Sequence, residues 1–341
     1  MKNFIALSLC ALIFLGMLTA GLSLKHLSSP ATFENTTIDV IYGDSMYKVA
    51  EKMQNAGIVE YPRLLVIYAR LFDLAPKIKA GEYEVTSGQS PLQVLDSIVK
   101  NKVIEYKVTL IEGWTAKEAI TALQAADGIV TTLNVNNPQS ILAAVGADKA
   151  YTHIEGIFYP DTYSYRKGTK DVDILNIAHK KMTKVLANAW ATKADKLPYK
   201  TPYEALIMAS IIERETGVGA ERAQISGVFV ERLYKGMKLQ TDPTVIYGMG
   251  DKYNGKIRRK DLLEPTAYNT YTIRGLPPTP IALANESSVQ AALHPLLNGK
   301  LYFVAKGDGY HQFSSNLKDH RAAVKKYQLN RKSSYRSTPQ K

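Results

Sequence analysis

The residues best suited to proton chemistry sit on one segment, PYEALIMASIIERET, over 202–216. Thr201 is placed to cap a helix, Pro202 suits its first position, and Glu204 stands three residues after the cap, the pattern of a capping box. Gly217 is a natural left-handed stop. At ~100° per residue, Ala205, Met208, Ile211 and Ile212 fall on one face, and Glu215 lands between the last two, one turn on. A carboxylate in the middle of an apolar stripe is a local inconsistency of the kind that marks functional sites. Burial disfavours the ionised form, and the negative end of the helix dipole pushes the same way. Together they predict an acid still protonated near neutral pH, which is what a poor leaving group such as a glycosidic oxygen needs. Two other readings of these residues stay open. Glu215 pairs with Arg214 or Arg222 and merely finishes the helix, or Glu213, near Leu206 and Ala209, is the acid.

A glycoside hydrolase normally sets two carboxylates across its substrate. Asp242, Asp161 and Glu264 are candidates for the second, and spacing selects none of them. With one acid, a hydroxyl of the sugar can attack its own anomeric carbon and close an anhydro ring. The same Glu then serves as acid and afterwards as base. The runs LQTDPTVIYG (239–248) and PTAYNTYTIRGLPPTPI (265–281) supply a substrate-side set. Gln240, Thr241, Asp242, Asn269 and Thr270 offer hydrogen bonds, and Tyr247, Tyr268 and Tyr271 offer flat faces for sugar rings, or else form a packed tyrosine-rich loop. Glu213 is kept with this set. His294, His311 and His320 match no metal-ligand spacing, so no metal and no cofactor is expected.

These residues need elements to hold them. TIDVIY alternates as a strand, and Gly43-Asp44-Ser45 opens a helix through Met46, Val49, Ala50 and Met53. A helix over Arg63–Phe72, a strand over Lys79–Val85 and a helix with Ser90 as cap and Pro91 first complete a small α+β module. The stretch from Ile104 to Gln124 adds a strand and a helix started at Thr115. An amphipathic helix spans 171–191 and another Glu221–Gly236. A long loop is expected over Gln240–Pro280, then a helix over Ser287–Pro295. LYFVAK (301–306) reads as a strand of almost wholly buried type, with YHQFS as its hairpin partner across a Gly-Asp-Gly turn.

The chain has 341 residues, 45% hydrophobic and 22% charged, an ordinary globular composition sized for about two domains. A formal charge of +12 suits an anionic polymer or membrane surface. No nucleic-acid motif accompanies it, so no nucleic-acid partner is expected. The one cysteine, Cys10, allows no intrachain disulfide. From Phe4 to Leu24 no charge interrupts FIALSLCALIFLGMLTAGLSL. At ~1.5 Å per residue, this run can span a hydrocarbon core of ~30 Å. A cleaved signal is the other reading, although Leu18-Thr19-Ala20 has Leu where a small residue is wanted. Either way, the chain after Lys25 is expected to be exported.

ASIIERET, ISGVFVERLYKGMKLQTDPTVIYGMG, YNGKI, PTAYNTYTIRGLPPTPI and the terminal YHQFSSNLKDH resemble the endolytic murein transglycosylases, the MltG or YceG-like family. The resemblance covers essentially the whole exported chain. It implies that the second Glu of the E-x-E run, Glu215, is catalytic. It implies an α+β organisation: a cytoplasmic stub and transmembrane anchor (1–25), a linker (26–37), a LysM-like module (38–105), a catalytic domain (106–330) and a basic tail (331–341). It implies a single-pass inner-membrane protein facing the periplasm. Such a protein would cleave nascent glycan between N-acetylmuramic acid and N-acetylglucosamine, leave 1,6-anhydro ends, end strand elongation and work beside peptidoglycan synthases. A non-catalytic, membrane-tethered glycan-binding or scaffold protein is the alternative.

Overall fold

The computed structural model describes residues 2–329; the basic tail expected over 331–341 lies outside them. The chain divides into two units. One takes in the chain up to Tyr106 together with Ser164–Gly168, and the other takes in Lys107–Tyr163 and the chain from Thr169 on.

The first unit begins with helix α1 (Lys2–Ser28), whose large apolar side chains Leu7, Leu12, Phe14, Met17, Leu22 and Leu24 are exposed. By length and composition it can cross a membrane, and a signal sequence would fit equally. The helix runs into the stretch read as a linker, and Leu27 is buried in the core of this unit. Strand β1 (Thr36–Val40) pairs antiparallel with β2 (Gly81–Val85), Ile38 standing opposite Tyr83. Between them come α2 (Met46–Asn55), capped by the Ser45 hydroxyl, and α3 (Pro62–Leu71). Helix α4 (Pro91–Val99) starts with a complete capping box at Ser90 and Gln93. Val49, Met53, Leu65, Tyr83, Val94 and Ile98 close the core, each sequence stripe facing inward as its period required.

Strand β3 (Tyr106–Thr109) leads into the second unit. Then follow α5 (Ala116–Gln124), capped by Thr115, α6 (Pro138–Ala144), β4 (Thr162–Tyr165), paired with β3, and α7 (Asp171–Ala191). The central element is α8 (Pro202–Glu215). Every residue from Ala205 to Ile212 is buried, so α8 is covered on all sides and its apolar stripe is no single face. Helix α9 (Arg222–Tyr234) and helix α12 (Glu286–Leu293) pack against it. Gly227 lets α9 meet the following chain closely: a Cβ there would lie 2.0 Å from the Leu296 carbonyl oxygen.

The segment expected as one long loop contains two short helices, α10 (Asp242–Met249) and α11 (Arg259–Leu263). Their Pro243 and flanking glycines masked a helical period too short to read. Helix α12 (Glu286–Leu293) is capped by Asn285 and stops before Pro295. The hairpin β5 (Tyr302–Ala305) and β6 (His311–Ser314) forms as expected, yet β5 is half-buried along its length, because a two-stranded ribbon covers too little of itself. Helix α13 (Leu317–Val324) follows. Among the described residues every sheet is a two-stranded ribbon, so helices build the cores of this mixed α and β chain.

Candidate active site

Glu215 is the last residue of α8. Thr201 caps the other end, but only half the expected box forms: Thr201 receives the Glu204 N–H, while the Glu204 carboxylate takes the N–H of Lys200. Nor is Gly217 a left-handed stop. Thr216 ends the helix in extended backbone (φ −146°), and the chain leaves at once. That exit leaves the Glu215 side chain at the wall of a trough of about 470 Å³.

Four of the expected substrate-side residues line the same trough: Gln240, Thr241, Asp242 and Tyr271. The Thr241 hydroxyl donates a short hydrogen bond to Glu215 Oε1. Thr241 is itself held from three directions. Its N–H donates to Thr270 Oγ1 at 3.0 Å, its carbonyl accepts from Thr244 Oγ1 at 2.8 Å, and the preceding Gln240 N–H reaches the Thr270 carbonyl at 3.2 Å. Gln240 has φ +53°, a left-handed conformation unusual for a residue with a Cβ. Arg232 clamps it: one Nη1 donates to the Lys238 and Leu239 carbonyls and to Gln240 Oε1 at 2.9–3.3 Å, while Nε donates to the Leu301 carbonyl at 2.7 Å. Strained backbone held by a buried guanidinium is typical of a surface that must keep one shape.

Burial pushes the Glu215 carboxyl up to about 7, the nearby Asp242 charge adds to the rise, and the Thr241 bond opposes it. Asp242 is exposed at the first turn of α10 and accepts from Tyr271 Oη at 2.6 Å. Neither arginine offered as a partner touches Glu215. Arg214 donates to the Gly113 carbonyl at 3.0 Å, and Arg222 pairs with Glu213 at 3.0 Å.

Glu213 is thereby placed as a structural acid. Its side chain is 5% exposed, it takes the Asn285 N–H at 3.0 Å, and it lies away from the trough. Because α8 is buried all round, the side opposite Glu215 is also interior, and the second carboxylate there needs a cation. Four more expected residues lie outside the trough. Tyr247 and Tyr268 pack edge to face at 4.8 Å against the core. The Asn269 amide donates to the Asp261 and Glu264 carbonyls, and Thr270 is a buried prop for Thr241. Asp161 pairs with Lys181, and Glu264 is exposed elsewhere, so Asp242 is the one candidate second carboxylate on the trough wall.

The structure adds residues the sequence reading missed. Arg232 from α9, Tyr302, Phe303 and His311 from the β5–β6 hairpin and His320 from α13 also line the trough. Nothing in their local pattern pointed to Glu215. Glu155 is a second carboxyl that burial pushes up to about 7. It accepts from the Ala116 N–H at 2.8 Å and from Tyr247 Oη at 3.0 Å. A lone charge within HIEGIFYP was a readable sign of a buried acid. It does not line the trough, so of the two proton-loaded carboxyls only Glu215 meets a space where a substrate fits.

Fold and site define a helix-dominated protein with a single proton-loaded carboxyl beside a polar, aromatic trough. The YceG-like family model matches residues 38–326, and the chain belongs to that family. The endolytic murein transglycosylase of Bacillus subtilis strain 168 is 29% identical over 322 residues, covering 89% of this chain and 88% of that protein. The protein of the same description from Streptococcus pneumoniae strain D39 is 24% identical over 315 residues, 83% of this chain but 57% of the longer streptococcal protein. A crystal structure of a putative YceG-like protein from Listeria monocytogenes superposes with a TM-score of 0.54 at 26% identity, covering 85% of this chain and 98% of that one.

Proposed function

We propose that this chain is an endolytic murein transglycosylase, a lyase that cuts peptidoglycan glycan strands, with Glu215 as its acid. Membership of the family and the description shared by its curated relatives support the activity. The observation that carries the assignment of Glu215 is its position: a carboxyl held protonated to about 7, at the wall of a 470 Å³ trough, with no cation bonded to it among the described residues. A muramic acid residue bound there places its glycosidic oxygen against Glu215. The proton passes to that oxygen, the C1–O bond to N-acetylglucosamine breaks, and the C6 hydroxyl closes on C1 to give a 1,6-anhydro end. The carboxylate left behind, or another base on the trough wall, receives the C6 hydroxyl proton. Gln240, Asp242 and Tyr271 are the substrate contacts in this reading, with Thr241 tuning the acid.

The same reading takes residues 38–105 as a LysM-like module, 106–330 as the catalytic domain and the first 25 residues as cytoplasmic stub and inner-membrane anchor. The catalytic part then faces the periplasm, ends the growth of nascent strands and works beside peptidoglycan synthases. The test is mass spectrometry of glycan digested with the full chain in detergent. Anhydro ends support a transglycosylase, reducing ends show a hydrolase, and binding without new ends shows a scaffold.

A further inference from the structure

The trough has a second side chain built for proton transfer. His311, at the start of β6, lines it with Glu215. Its Nδ1 lies 2.8 Å from Glu221 Oε2, and its own N–H donates to Glu221 Oε1 at 2.9 Å. Both side chains are nearly buried, at 12% and 11% exposure. Phe303 and Phe313 stand edge-on to the ring at 5.4 and 6.3 Å. A carboxylate on Nδ1 fixes the tautomer with its proton there, so the lone pair is on Nε2, on the opposite side of the ring. No hydrogen bond to Nε2 is made among the described residues. An imidazole oriented by a carboxylate, in a residue that lines a substrate-sized cavity, is the arrangement of a general base.

We propose that His311, oriented by Glu221, takes the proton from the attacking C6 hydroxyl while Glu215 gives its proton to the leaving oxygen; this deepens the activity proposed above and rests on it. The chemistry balances. The O6–C1 bond forms as the C1–O bond to the leaving sugar breaks. Nε2 gains the C6 hydroxyl proton, and Glu215 loses one to the departing hydroxyl. Solvent then returns His311 to neutral and Glu215 to its acid form. Two groups share the work because a single carboxyl would have to swing between leaving oxygen and nucleophile within one turnover. Glu215 and His311 line one trough of about 470 Å³, within the size range of pockets that enclose small ligands, so both can serve one bound sugar.

The decisive variant is His311→Asn. Its amide nitrogen replaces Nδ1 as donor to Glu221, so the structural bond survives and only Nε2 is lost. The full chain in detergent is assayed on defined glycan strands, and kcat and KM are measured separately. The inference expects kcat to fall at least ~100-fold with KM within about 3-fold, the size of a lost general base. Glu221→Gln, nearly isosteric, is expected to lower kcat about 10-fold by leaving the imidazole free to turn. It serves as the test if the Asn variant does not fold. A His311→Asn enzyme within 3-fold of the parent kcat, or a folded Glu221→Gln enzyme with no change, overturns the inference. Glu215→Gln is run beside them: if it is dead while His311→Asn is normal, only the role of His311 fails. If it is normal, the proposed active site fails as well.

Discussion

Replacing Glu215 by Gln removes the proposed proton donor and also a stability cost that varies with pH. The native carboxyl titrates at about 7 because burial disfavours its charge. In the unfolded chain it titrates near ~4.3. Between these values the folded protein binds more protons than the unfolded one, so stability falls as pH rises through that window. Below it the carboxyl is neutral in both states and the cost vanishes; above it the cost is complete. At ~1.36 kcal/mol per pKa unit the full cost is roughly 4 kcal/mol, and partial exposure at the trough reduces it to about 1–3 kcal/mol. Gln cannot ionise, so the variant is expected to match the parent near pH 4 and to exceed it near pH 8 by about 3–9 °C in Tm. Trp114 and Trp190 both belong to the second unit, so tryptophan fluorescence of the full chain reports the relevant transition. An equal Tm difference at both pH values, or a Gln variant that still cuts glycan, would refute the account of Glu215 as a buried proton donor.

Thr241→Val deletes the bond that lowers the Glu215 pKa. A charged acceptor losing such a bond changes by ~1.5–3 kcal/mol, so the basic limb of the activity profile should move up by about 1–2 pH units. Asp242→Asn removes the charge that raises that pKa, so the same limb should move down, with anhydro ends still formed; a switch to inactive enzyme with intact binding would instead make Asp242 a second catalytic carboxylate. Arg222→Ala strands the buried Glu213 carboxylate and should cost ~3–5 kcal/mol in denaturant unfolding, without altering the ends made by the folded fraction. Gly227→Ala puts a methyl against the Leu296 carbonyl and should lower Tm in the second unit, with the first unit unaffected.

Local pattern was enough wherever the information is local. Ser90, Thr115 and Pro202 mark their helix starts because a cap needs only its next three residues, and the hairpin at 302–314 follows from two alternating runs about a turn. Glu215 was legible because a charge interrupts an apolar period. Its rival Glu213 could not be excluded, since the pattern shows one stripe where the folded helix is covered on all sides. Only the tertiary structure sorts the two carboxyls. Arg222, nine residues on, reaches Glu213, while Thr241 and the β5–β6 hairpin close around Glu215. It also turned Tyr247 and Tyr268 inward, away from the trough, and brought in Arg232 and His311 from segments with no shared periodicity. A sequence fixes which residues are apolar, capped or charged. Which distant side chains meet depends on how helices buried on every side pack together, and no single stretch of chain carries that information.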